Sequence, residues 1–288
     1  MQNIVLDVSS LAYRSFFSMG QLSYHGTATG VLYGFFRDLR KLIELYPAAR
    51  MVFCFDSRRS LRKDMRATYK ASRSGDLMDA DEAEARRQLH KQLDDLREQY
   101  LRVLGYKNVF QQDGYEADDL VASVCHCMDR SDRAVILTSD NDMWQLLSSR
   151  RVVIQSPKDL AYLTEEMFVK KWGLRPCQWA EVKAMAGCST DNVQGVPRVG
   201  DLTAVKFLLG MLGKGTVAYT NIKKNGELIA NNRVVVSLPL DGVTECLLVD
   251  DRIGMPEDKK WNAVMRAIGA GSLYIKGGKP LPRKRRMA

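Results

Sequence analysis

Ile4-Val5-Leu6-Asp7-Val8-Ser9-Ser10 is a short apolar run that closes on an aspartate. It is too short for a helix and apolar at successive positions, the pattern of a strand covered on both faces. Two later runs repeat it. Met51-Val52-Phe53-Cys54-Phe55 is followed at once by Asp56, and Ala134-Val135-Ile136-Leu137 is followed by Asp140 and Asp142. A fourth run, Val152-Val153-Ile154, comes soon after. Helical spacing fills the gaps between them. Leu89, Leu93, Leu96, Tyr100 and Leu104 share one helix face, as do Leu120, Val121, Val124 and Met128 in a helix starting near Ala117. This β-α-β-α-β alternation predicts an α/β fold around a parallel sheet. Open parallel sheets bind ligands beyond the carboxyl ends of their strands. The aspartates that close the runs should therefore converge in one crevice.

Glu116, Asp118 and Asp119 add to this set, because they open the helix that begins near Ala117. Acids in a first helical turn also complement the helix dipole, which explains one or two of them but not those at the strand ends. So many carboxylates in a partly desolvated crevice would repel one another. A divalent cation relieves that repulsion, and an all-oxygen donor set favours Mg²⁺ or Mn²⁺. Two such ions, ~3.5–4 Å apart, can activate a water and stabilise a leaving oxygen in phosphodiester hydrolysis.

The chain has 288 residues, enough for one large domain or two packed ones, and 45% are hydrophobic and 27% charged. No segment is apolar enough to span a bilayer, and no signal peptide precedes the first strand, so an intracellular, cytoplasmic protein is expected. The formal charge of +9 suggests an acidic partner. Six cysteines form no CxxC pair and the only histidines are His25, His90 and His126, which argues against a structural zinc site. His126 reads as a solvent-facing helix residue.

Residues 57–88 interrupt the alternation with a basic stretch that includes Arg58, Arg59, Arg62, Lys63, Arg66, Lys70 and Arg73. A connection this long is usually functional, and here it predicts a basic arch over the sheet's active edge; a solvated helix and loop is the plain alternative. After Thr164 the chain reads as mainly helical, with residues 216–256 unassigned and Arg233-Val234-Val235-Val236 readable as strand or buried helix. The tail, residues 276–288, carries Arg283-Lys284-Arg285-Arg286 and reads as disordered.

Taken in order, these motifs resemble the 5′-nuclease superfamily, which includes phage 5′–3′ exonucleases, flap endonucleases and the nuclease domain of bacterial DNA polymerase I. The matching pieces begin with Leu6-Asp7-Val8-Ser9-Ser10 and Arg14, then Phe55-Asp56 with Arg62, and Tyr69-Lys70-Ala71-Ser72-Arg73. Tyr115-Glu116-Ala117-Asp118-Asp119, Thr138-Ser139-Asp140-Asn141-Asp142 and Asp191-Asn192 followed by Gly195-Val196-Pro197-Arg198-Val199-Gly200 complete the series. The resemblance implies a PIN-like core over residues 1–163, including the 57–88 helical arch, and a helical DNA-binding region with a helix–three-turn–helix element over 164–275. It implies Asp7, Asp56, Glu116 and Asp118 at a first metal ion, and Asp118 or Asp119 with Asp140, Asp142 and Asp191 at a second. Lys70, with Arg73 beside it, would stabilise charge on the scissile phosphate. Arg14, Arg62, Tyr69 and the hairpin of Gly195, Val196, Arg198, Val199 and Gly200 would contact DNA, the hairpin through backbone N–H groups. Mg²⁺, replaceable by Mn²⁺, and K⁺ at the hairpin are the implied ions.

The implied activity is structure-specific 5′ flap endonuclease and 5′–3′ exonuclease cleavage, in replication or repair. Its substrates would be DNA with 5′ flaps, nicks or free 5′ ends, RNA-primed strands included, with replication proteins as further partners and a monomeric enzyme. One position departs from the family pattern. Where Gly-Asp-x-x-Asp-Asn is usual, this chain has Gly187-Cys188-Ser189-Thr190-Asp191-Asn192. Cys188 replaces an expected second-metal aspartate, and a thiol is a poor Mg²⁺ ligand. The alternative it raises is a flap-binding protein with reduced or lost hydrolysis.

Overall fold

Burial on both faces sets the order of the sheet. The structure is a computed structural model that describes residues 1–71, 80–148, 151–251 and 254–275. The chain begins with β1 (Gln2–Asp7), α1 (Val8–Met19), a hairpin of β2 (Ser23–Tyr24) and β3 (Thr27–Ala28), and α2 (Gly30–Leu45). Next come β4 (Arg50–Cys54), α3 (Leu61–Met65) and α4 (Ala80–Asp95), which continues through a π turn (Leu96–Tyr100) into α5 (Leu101–Val103). β5 (Val109–Phe110), α6 (Ala117–Cys127), β6 (Arg133–Leu137), a 3₁₀ segment (Asn141–Leu146), β7 (Val152–Gln155) and β8 (Tyr162–Leu163) complete the sheet. Helices α7 (Glu165–Trp172), α8 (Trp179–Ala186), α9 (Asp201–Leu208), α10 (Val217–Lys224), α11 (Gly226–Val236) and α12 (Asp258–Ala267) follow.

The main sheet has the order β5-β4-β1-β6-β7-β8, parallel throughout except for antiparallel β8. The four strands expected from the apolar runs are present. β5 and β8, each two residues long, and the β2–β3 hairpin are additions. From β1 the chain builds outward through β4 and β5, then returns to lay β6 on the other side. The switch point thus falls beside β1, where a crevice opens at the strands' carboxyl ends.

Alternate residues of these strands supply two apolar layers. Ile4, Leu6, Met51 and Phe53 pack with Phe35, Phe36 and Leu39 of α2 on one face. Val5, Val52, Cys54 and Ile136 pack with α6 and with Trp179 of α8 on the other. Phe168 and Trp179 meet Trp144 at ring-centroid distances of 6.1 and 4.9 Å, so α7 and α8 share the core of the sheet. Position 163 is therefore not a boundary between cores. The chain's last described α-helix also leaves the helical region: Trp261 of α12 lies edge-on to Phe36 at 5.8 Å and joins the α2 face. Arg233-Val234-Val235-Val236 is helical, within α11, and His126 is exposed as expected. Arg73 and the 276–288 tail lie outside the described residues. Among those described, no helix is long and apolar enough to cross a membrane.

Trp261 is fully buried and its Nε1 donates to the Leu273 carbonyl at 2.8 Å. Trp261→Ala should cost about 3–5 kcal/mol of stability, the usual range for an aromatic removed from a core. Urea denaturation should show this as a lower midpoint.

Candidate active site

The expected convergence of strand-end acids is present. β1 ends where α1 starts, and Asp7 serves both: it completes the strand and caps the helix, accepting from Ser10 N at 2.9 Å. Asp56, just past β4, accepts from Ala117 N at 2.7 Å, so a strand-end carboxylate also caps α6. Glu116 precedes that helix and Asp118 sits in its first turn. Beyond β6, Asp140 caps the 3₁₀ segment by accepting from Asp142 N at 2.8 Å. Asp7, Asp56, Glu116, Asp118, Asp140 and Lys70 border one cleft of about 440 Å³.

Repulsion in this cleft is strong. Burial, then the charge of Asp56, pushes Asp7 up to about 7. Burial and Glu116 raise Asp56, and burial with Asp7 and Asp140 raises Asp118 well above its ordinary value. Glu116 differs: burial works against its charge, but Lys70 and Arg62 outweigh it and hold its pKa below the usual value. Lys70 Nζ donates to Glu116 Oε2 at 2.8 Å, and Tyr69 Oη donates to the same oxygen at 3.0 Å. Burial disfavours the Lys70 ammonium, yet Glu116, Tyr69, Asp191 and Asp118 together outweigh it and raise its pKa. Lys70 also adopts a left-handed backbone conformation, with φ +49°, while its N–H donates to the Asp191 carbonyl at 2.8 Å. Such a conformation costs a lysine ~1–3 kcal/mol and is characteristic of residues positioned for function.

Asp142 and Asp191 border a smaller recess that shares Glu116 and Asp118 with the cleft. Burial, Asp140 and Asp191 raise Asp142 to about 6, although Lys183 Nζ lies 3.4 Å from its Oδ1. Cys188 completes this group. One donor atom each from Asp142, Cys188 and Asp191 lie within 4.8 Å of one another, the one such trio among the described residues. The first group lines a common cleft, but no three of its carboxylates come within 4.8 Å of one another. Its all-oxygen donors and mutual repulsion fit a hard divalent cation, whereas the trio offers mixed oxygen and sulfur.

Residues 2–173 match the family model described as 5′-3′ exonuclease, N-terminal resolvase-like domain. The chain belongs to the 5′-3′ exonuclease family. It is 34% identical over 208 residues to the thermostable DNA polymerase I of Thermus thermophilus, covering 71% of this chain and 23% of that protein. The chain thus spans about a quarter of the length of such polymerases. A 5′-3′ exonuclease of Buchnera aphidicola is 28% identical over 256 residues, covering 87% of this chain and 84% of that one. Among solved structures, T5 5′-exonuclease with bound zinc has a TM-score of 0.68 at 18% identity, covering 93% of this chain and 95% of that one. That likeness concerns the fold.

Several expected site residues have other work in this family member. Asp119 is fully buried and faces away from the cleft: Arg62 grips both its oxygens at 2.5 and 2.8 Å, and Leu240 N and Glu116 N donate to it as well. With its oxygens so occupied, Asp119 is a structural anchor rather than a metal ligand. Arg62, 2% exposed, also donates to the Val235 and Ser237 carbonyls, so it cannot meet DNA. Tyr69 is likewise buried, against Glu116. Arg14 donates to Asp38 and the Pro157 carbonyl, clamping α1 from outside the cleft.

The 195–200 hairpin joins α8 to α9. Val196 and Val199 turn their side chains into the core, and their N–H groups donate to the Met185 and Val196 carbonyls. Those two N–H groups are therefore not the phosphate donors expected of them. Arg198 and Gly200 are exposed, with Gly200 at the start of α9 and open space around it. Gly195 must be glycine, because a Cβ would lie 2.0 Å from the Ala186 carbonyl oxygen. Sequence reasoning missed Tyr13 and Phe17, which also border the cleft, whereas Arg86, also at the cleft, belongs to the basic stretch expected there. The signal was available in part: Tyr13 and Phe17 are four apart on α1 and share a face.

A carboxyl raised by folding favours the folded state while it holds its proton. That advantage is complete below its unfolded pKa of 3.8 and disappears as pH rises toward the folded value, which for Asp7 is about 7. In EDTA, Asp7→Asn, which retains the cap, should therefore match the parent near pH 4 and melt higher above pH 7. The gap should be on the order of 4 kcal/mol. Melting curves across this range, with and without a divalent cation, check it; equal pH slopes would refute the strained Asp7.

Proposed function

We propose that this chain is a divalent-metal-dependent, structure-specific 5′-nuclease, acting as flap endonuclease and 5′–3′ exonuclease on DNA. The cleft carries the proposal: acids from three strand ends and from the start of α6 crowd into one space beside Lys70. Asp7, Asp56, Glu116 and Asp118 would hold one cation, Mg²⁺ foremost, with Asp140, Asp142 and Asp191 serving a second. Bound there, such ions activate water and neutralise a leaving oxygen. Relatives described as 5′-3′ exonucleases and a T5 flap endonuclease in complex with DNA and metal ions support the assignment.

Each remaining part has a physical role in this reading. Lys70 reaches the cleft as a cation and would stabilise charge developing on the phosphate oxygens; Arg73 would assist it. Tyr69 and Glu116 hold the Lys70 ammonium in place before substrate arrives. Arg86 adds positive charge from α4. Phe17 is 82% exposed at the cleft edge, with no core to serve, and would stack an unpaired base of the 5′ strand. Arg198, Gly200 and the N-terminal turn of α9 would receive duplex phosphates without reading sequence. K⁺ at the hairpin carbonyls would strengthen that grip.

Single-turnover cleavage of a 5′-labelled flap tests the whole reading. Asp56→Ala should abolish cutting while DNA binding persists. Lys70→Ala should slow cutting by about 10²–10³-fold, the usual loss for one electrostatic donor, and an unchanged rate would remove Lys70 from the mechanism. Phe17→Ala should weaken binding of a single-stranded 5′ extension by ~1–3 kcal/mol while sparing blunt duplex. Binding with no cutting by the parent protein would support the flap-binding alternative instead.

A further inference from the structure

We infer that Asp142, Cys188 and Asp191 form a mixed oxygen and sulfur site that selects a borderline divalent cation, such as Co²⁺ or Zn²⁺, over Mg²⁺. The inference deepens the nuclease reading and depends on it for the site's purpose, but its geometry stands alone. These three donors are already gathered within 4.8 Å of one another, while the carboxylates of the neighbouring cleft are not.

Backbone constraints keep the sulfur there. Cys188 and Val193 exchange N–H···O bonds of 2.9 Å in both directions, closing the loop after α8. Gly187, at φ +76°, permits the turn, and a Cβ there would lie 2.4 Å from Gly195 N and the Val193 oxygen. The Asp191 carbonyl is tied to Lys70 N, and Asp142 is fixed in the 3₁₀ segment capped by Asp140. The thiol's own partner is modest: Thr190 Oγ1, 3.0 Å from Sγ. A cation could replace that contact at small cost.

The charges also close. Two carboxylates and a thiolate carry three negative charges, and the Lys183 ammonium beside Asp142 offsets one of them. A divalent cation supplies the remaining two, with the thiol proton released to solvent as the Cys188 sulfur binds. Mg²⁺ prefers oxygen ligands at short, near-octahedral distances and gains little from sulfur. Softer first-row ions accept thiolate readily. The sulfur therefore shifts selectivity without removing the site.

Anaerobic titration of the whole chain with Co²⁺ tests this directly, because only thiolate ligation adds a sulfur-to-cobalt charge-transfer band in the near ultraviolet. The parent protein should develop a saturable band, Cys188→Ser should lose it, and Asp142→Asn should weaken Co²⁺ binding about tenfold. Cys188→Asp should lose the band and bind a second Mg²⁺ about tenfold more tightly by calorimetry. Circular dichroism confirms folding of each variant, and Asp142→Asn serves if Cys188→Ser does not fold. Calorimetric Co²⁺ binding with no band in the parent, or a band that survives Cys188→Ser, would overturn the inference. A parent protein that shows the band yet cuts no flap would sink the nuclease reading alone; one that cuts flaps without the band would sink this site alone.

Discussion

Carboxylates crowded beneath a sheet edge repel one another, and the local architecture is arranged around that repulsion. Three cationic side chains each take one acid: Arg62 takes Asp119, Lys70 takes Glu116 and Lys183 takes Asp142. Asp7, Asp56 and Asp118 are left with raised pKa values because burial and their neighbours outweigh what Lys70 contributes, and Asp142 stays raised despite Lys183. The protein has stopped short of neutralising its own site. That shortfall is free energy available to a cation, and it explains how an acidic pocket persists in a chain whose formal charge is +9.

Arg62 shows how the same charge chemistry serves structure. Its guanidinium binds Asp119 in α6 and the carbonyls of Val235 and Ser237 at the end of α11. The base of the basic stretch, the helix bearing Asp118, and the helical region are thereby fastened at one buried point. Arg66 adds a second tie, donating to Asn232, whose amide in turn donates to the Ala184 and Gln194 carbonyls. The start of this stretch is thus a buttress. Breaking the Arg62–Asp119 pair from one side would strand the other charge, which is far costlier than losing an exposed pair.

The strands and their closing acids were legible because two short-range signals coincide: an apolar run at every position, then a charge. What stayed hidden depends on direction. Asp118 and Asp119 are neighbours in sequence, but ~100° of helical rotation sends one to the cleft and the other to Arg62. Arg62 is one arginine among many in a basic run, and nothing local marks it as the buried one. β5 and β8, with two residues each, are too short to show a period. Cys188 was visible as a departure from a pattern, but its closeness to Asp142 arises only when α8 packs against the 3₁₀ segment.

The edge-on contact between Phe36 and Trp261 joins positions far apart in the chain and completes the apolar layer begun by Ile4. A layer closed by so distant a contact cannot be finished by local condensation alone. Its loop entropy must be met before burial repays it, which makes folding slower than helix content suggests. In any state in which α12 is undocked, the Phe36 ring lacks its Trp261 cover, and exposed apolar surface of that kind favours association between chains. The order in which the two apolar layers close therefore bears on how much of this protein reaches its native state.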